Sequence, residues 1–118
     1  MTSLIEVAVY AAVLAHGTPL NCAQSTDTHI DCSNGTSAEL AENAVIRFSG
    51  GVTVDRDENG FPRFSDGTHS WYSSTGWIAF SNGMQIRKVT ADRYKLSTDV
   101  ECHLQAPETA ECKKVEPH

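Results

Sequence analysis

Ile78-Ala79-Phe80-Ser81-Asn82-Gly83-Met84-Gln85-Ile86 alternates apolar and polar residues on either side of a Ser-Asn-Gly turn, and the chain repeats this frame. It recurs in residues 30–38 (IDCSNGTSA), 46–54 (IRFSGGVTV) and 62–70 (PRFSDGTHS), each copy sixteen residues from the next. A fifth copy, residues 94–102 (YKLSTDVEC), has Ser97-Thr98-Asp99 at the turn. The serines therefore fall at Ser33, Ser49, Ser65, Ser81 and Ser97. A fixed short period without insertions marks an array of one supersecondary unit.

The unit reads as a β-hairpin. One residue before each serine stand Cys32, Phe48, Phe64, Phe80 and Leu96; three before stand Ile30, Ile46, Pro62, Ile78 and Tyr94. Three after come Thr36, Val52, Thr68, Met84 and Val100; five after come Ala38, Val54, Ser70, Ile86 and Cys102. The alternate positions hold Arg47, Arg63, Lys95, Thr53, His69, Gln85 and Glu101. Period-two alternation on both sides of a turn describes a strand pair with one buried face. A three-residue loop, a type I turn closed by a left-handed glycine, sets Phe80 opposite Met84 and Ile78 opposite Ile86. A two-residue loop would split the apolar set, so the buried face selects the longer one. Further turns are expected at Glu42-Asn43-Ala44, Glu58-Asn59-Gly60, Ser74-Thr75-Gly76 and Thr90-Ala91-Asp92.

The expected fold is all-β, an antiparallel meander of 16-residue β-hairpin repeats, about ten short strands, with a short N-terminal helix. Residues 1–17 form the hydrophobic helix and 18–29 a linker; 30–104 are the five-unit repeat domain and 105–118 a C-terminal tail closed by a disulfide. Ten such strands offer an apolar face of about 700 Å². A helix of about thirteen residues covers roughly a third of it. An open sheet would thus leave an apolar patch of the kind that marks an interaction surface.

The chain has 118 residues, enough for one domain, and a net charge of -6 that disfavours nucleic acid and anionic membranes as partners. Its four cysteines, Cys22, Cys32, Cys102 and Cys112, lie as two pairs ten residues apart, without zinc-type spacing. Two local disulfides and an oxidising compartment are expected, against a reading as reduced thiols in a cytosolic protein. Residues 3–15 (SLIEVAVYAAVLA) are too short to span a bilayer and lack a basic start.

Leu4-Ile5-Glu6-Val7 resembles the start of mature type IV pilins, which carry a glutamate near the start of a hydrophobic helix. That family also often closes a C-terminal loop with two cysteines, as Cys102 and Cys112 could. The likeness covers about a tenth of the chain, and the repeat array has no counterpart in it. Residues 71–77 (WYSSTGW) resemble the hairpin repeats of choline-type cell-wall-binding modules, although those repeat their aromatics in every unit. The resemblance implies an aromatic binding patch at Trp71, Tyr72 and Trp77.

Asp55-Arg56-Asp57-Glu58-Asn59-Gly60 matches the front of a calcium loop. The repeat sets Asp66 at the opposite end of the sheet, which leaves calcium only Asp55, Asp57 and Asn59, against an ordinary Asn-Gly turn. No catalytic set emerges: His29, His69 and His103 occupy outward or edge positions in different units, and the repeated serines are turn residues. Asn34-Gly35-Thr36 is formally a glycosylation sequon. The function expected is a non-enzymatic secreted or surface structural protein, self-assembling through the apolar face and the helix, for instance as a filament subunit. The alternatives are a glycan- or protein-binding module built on Trp71, Tyr72 and Trp77, and an acidic inhibitor. The partner is expected to be a second copy, another protein or a glycan, with no nucleic acid and no transmembrane span.

Overall fold

A computed structural model describes residues 4–115, and the side chain of Asn43 lies outside that description. Helix α1 (Leu4–Leu14) precedes twelve strands: β1 (Leu20–Gln24), β2 (His29–Cys32), β3 (Ser37–Leu40), β4 (Ile46–Phe48), β5 (Thr53–Arg56), β6 (Pro62–Phe64), β7 (Ser70–Tyr72), β8 (Ile78–Phe80), β9 (Gln85–Thr90), β10 (Arg93–Leu96), β11 (Val100–Ala106) and β12 (Thr109–Lys114). Every ladder is antiparallel. The order is β6-β5-β4-β3-β2-β1-β12-β11-β10-β9-β8-β7. The fold is thus the expected meander with two more strands. The segments expected as linker and tail contribute β1 and β12, which pair with each other, Leu20 opposite Cys112 and Cys22 opposite Ala110.

The turns form as the apolar register requires. Ile78 pairs with Ile86, and the Phe80 amide donates to the Met84 carbonyl at 2.7 Å. Gly83 has φ 95° and its amide donates back to the Phe80 carbonyl at 3.0 Å, a type I turn closed by a left-handed residue. Asp99, at φ 65°, fills this place in the fifth copy. Between the serine turns, Gly60 and Gly76 close loops of the same form, and Ala44 replaces glycine at φ 63°.

The serines are more than turn formers. Each donates its amide to the carbonyl of the residue twelve earlier, at 2.7–2.9 Å. Each hydroxyl also accepts from that residue's amide, at 2.8–3.1 Å: Ser33 from Asn21, Ser49 from Ser37, Ser65 from Thr53, Ser81 from His69 and Ser97 from Gln85. In an antiparallel pair two residues exchange both backbone bonds. Here the serine has begun to turn, and its hydroxyl oxygen stands in for its carbonyl. The repeat therefore extends each ladder by one rung beyond the strand and links every hairpin to the strand before it.

The sheet wraps around α1. All the residues of α1 from Leu4 to Val13 except Glu6 are buried, on every side of the helix, as befits a helix enclosed by protein. Inward strand positions Ile30, Ile46, Phe48, Val54, Phe64, Phe80, Ile86 and Leu96 complete the core. Twelve strands give a circumference of about 58 Å and a backbone diameter of about 18 Å before tilt widens it. Their own side chains cannot fill that width, and a helix about 10 Å across can. The apolar face expected to lie open is thus turned inward against the helix, because the sheet closes where a flat one would leave two thirds of it bare.

The helix lies closest to β12, β1, β11 and β2, the wall carrying the Cys22–Cys32 and Cys102–Cys112 disulfides. Small Ala8 meets this wall, its carbonyl 3.9 Å from the Cys112 sulfur. On the opposite side Tyr10 packs edge-on against Phe64, and Phe64 against Phe80. Glu6 pairs with Arg56, whose guanidinium also lies over the Tyr10 ring. Burial holds the Tyr10 phenol protonated well above its usual range, although Arg56 opposes the shift. The helix ends at His16 and Gly17, both at positive φ, with the Gly17 amide donating to the Ala12 carbonyl at 2.7 Å.

The last seam, β6 to β7, has no ladder. The repeat places Pro62 opposite Ser70 there, and proline has no amide to donate. The Ser70 hydroxyl instead donates to the Pro62 carbonyl at 2.7 Å. Pro62 and Ser70 thus meet each other and close the wrap.

Replacing Ser49 or Ser81 with alanine removes one bond from a linked pair and should cost about 0.5–1.5 kcal/mol each in denaturant unfolding. Gly17→Ala should cost about 2 kcal/mol or more, since a Cβ there would stand 2.3 Å from Thr98 Oγ1 with φ +81°.

Candidate functional site

Alternation sorts the side chains into a sealed interior and an outer wall, so any site for a partner lies on the wall or at the two open ends. The large exposed apolar residues are Trp71, Tyr72, Val89 and Val115, all in the second half of the described chain. Trp71 is 45% exposed on the outer face of β7, directly opposite Ala79 of β8. Trp77, half-buried, precedes β8 by one residue and shares that face by alternation. The two indoles therefore flank Ala79, which is only 7% exposed although it faces outward. The His69 ring lies 5.5 Å from that of Trp71 at a tilt of 42°.

Tyr72 does not join them. Its place in the alternation is inward, opposite Ile78, and at the rim of the wrap it stands 64% exposed. The expected three-residue patch is in fact an indole pair on the wall and a tyrosine at the rim. The residues adjoin in sequence, but consecutive strand residues point to opposite faces.

A shallow groove of about 310 Å³ continues the wall from Trp77, lined by Lys95, Asp99, Glu101 and Val115 among others. Glu101 receives the Arg93 guanidinium at 3.1 Å. These polar groups come from β10, β11 and the turn between them, so no local sequence signal groups them with Trp77. Only the register does. A larger cavity of about 740 Å³ opens at the helix start, lined mostly by apolar residues such as Leu4, Ile5, Leu40, Val45 and Leu104, with Asp27 and Asp92. Among the described residues no histidine, cysteine, lysine or arginine lines it.

The remaining candidate groups have local partners. Asp55, on the other wall, takes Arg63 at 2.8 and 3.1 Å, and this guanidinium holds its carboxyl below the usual range. Asp57 Oδ1 accepts from the amides of Asn59 and Phe61, which makes the calcium-like stretch an Asx-stabilised turn. Among the described residues no group of three or more His, Cys, Asp or Glu is arranged to hold a metal ion. His103 faces Glu111 at 3.9 Å, and His29 lies between Glu39 and Asp31. Glu39, then Asp31, hold the His29 imidazolium, raising its pKa.

Two disulfides between neighbouring strands place the folded chain in an oxidising compartment. Among the described residues no helix is long and apolar enough to cross a membrane. Comparison with known proteins finds no matching family model, no matching curated protein and no matching solved structure. The reading of function therefore rests on the wall itself.

A raised folded pKa stabilises a fold below the ordinary histidine range, and the contribution is lost as pH rises through the raised value. NMR titration should show His29 holding its proton above pH 6.5, the ordinary value. In Glu39→Gln the midpoint should fall.

Proposed function

We propose that this protein is a non-enzymatic binding module, secreted, periplasmic or on the cell surface, that holds a carbohydrate against Trp71 and Trp77. The observation that carries the reading is the pair of indoles on one outward face, with neither sealed in the core. An indole left in water presents a large flat apolar surface, and sugar rings offer matching C–H faces. The groove beside Trp77 adds a lysine and two carboxylates, donors and acceptors for sugar hydroxyls. Trp71, Lys95 and Glu101 sit on paired strands, and Trp77 and Asp99 lie within one residue of a strand, which favours a ligand site with little ordering cost.

Self-assembly remains open to this protein only through another surface, because the apolar face and α1 are packed against each other within one chain. A protein partner would use the same indoles as anchors.

Screening soluble oligosaccharides by calorimetry should find a ligand whose affinity falls about tenfold or more in Trp71→Ala and in Trp77→Ala, with unfolding midpoints little changed. The purified chain should sediment as a monomer. Oligomers that bury Trp71, or sugars that bind equally to both variants, would overturn the reading.

A further inference from the structure

The wall beside Trp77 carries an electrostatic conflict. Arg87 of β9 and Lys95 of β10 are direct cross-strand neighbours, and both are exposed. Like charges in this relation destabilise a sheet. Neither residue has an ion-pair partner among the described residues. Lys95 faces Glu101 on its other side, but that carboxylate is held by Arg93. The pairing of Ile78 with Ile86 sets Trp77 alongside Arg87 on the outer face. An indole, a guanidinium and an ammonium thus stand in one row across three strands.

The outward positions of β9–β12 carry Arg87, Arg93, Lys95 and Lys113 against Glu101 and Glu111, on a chain whose net charge is -6. Asp99 adds one carboxylate in the turn at the groove. Cations thus outnumber carboxylates by one on this part of the wall, and the two without ion-pair partners among the described residues, Arg87 and Lys95, stand beside Trp77 on a chain of net charge -6.

We infer that the carbohydrate bound at this wall is acidic, its ring stacked on Trp77 and its carboxylate or sulfate held between Arg87 and Lys95. An anion there turns the repulsion of two cations into two charge-assisted contacts. The inference rests on the carbohydrate reading above and narrows it to uronate-bearing or sulfated chains.

The test compares oligosaccharides of equal length: oligogalacturonate, a chondroitin sulfate fragment, cellohexaose and chitohexaose, with a single-stranded oligonucleotide of matched charge. One or both acidic sugars should bind at least tenfold tighter than the neutral ones at low ionic strength, with the advantage shrinking as salt rises. Oligogalacturonate carries carboxylates alone and the chondroitin sulfate fragment carries carboxylates and sulfates, so tighter binding of the second marks a contribution from sulfate. Arg87→Gln should weaken acidic binding about three- to tenfold and leave neutral binding unchanged, and Lys95→Gln should weaken acidic binding by a similar factor and by more than it weakens neutral binding; both should keep or slightly raise the unfolding midpoint. Trp77→Ala should weaken every sugar. Neutral sugars binding as well as acidic ones would overturn the inference and leave the carbohydrate reading standing. An oligonucleotide binding as tightly as the acidic sugars would reduce the site to charge alone and overturn it. If no sugar binds, both readings fall.

Discussion

The fold depends on a match between a hole and its filling. Twelve short strands curl into a wrap too wide for their own side chains to fill, and α1 occupies the space. Neither part is stable without the other. The helix is apolar on every side and too short to hold its shape in water, while the sheet would expose a face of aromatic and branched residues. The helix sits off-centre for a packing reason: alanine lets its backbone approach the disulfide wall, and Tyr10, Phe64 and Phe80 fill the wider side.

Hydrogen bonding carries the same logic outward. Strands of three or four residues make few ladder bonds, so one additional rung per serine turn is a large fractional gain. Hydroxyls that accept in place of carbonyls in five places, and one at Ser70 that donates to the Pro62 carbonyl, let a tightly turning chain keep its backbone paired. The pairing of β1 with β12 joins the first strand to the last, and the disulfides lie in the strand pairs on either side of that join.

The outer wall is where function is free to act, since the interior is committed to the helix. What distinguishes one part of the wall from another is composition: ion pairs such as Asp55–Arg63 balance one side, while β7–β12 gather indoles and surplus cations. That asymmetry does not follow from the repeat, which specifies the inward positions and leaves the outward ones free to vary.

The sequence by itself determined the hairpin unit, the turn type, the face of each repeat residue and the local disulfides, because each depends on spacing within about sixteen residues. It also displayed Trp71, Tyr72 and Trp77, though not that the tyrosine turns to the other side. Only the tertiary structure decided that the sheet closes, that β1 and β12 join its ends, and that α1 is its core. Closure is set by curvature accumulated over all twelve strands, which no single unit encodes. The grouping of Trp77 with Arg87, Lys95 and Glu101 is likewise a product of register across four strands, so residues up to 24 positions apart share a row that sequence order conceals.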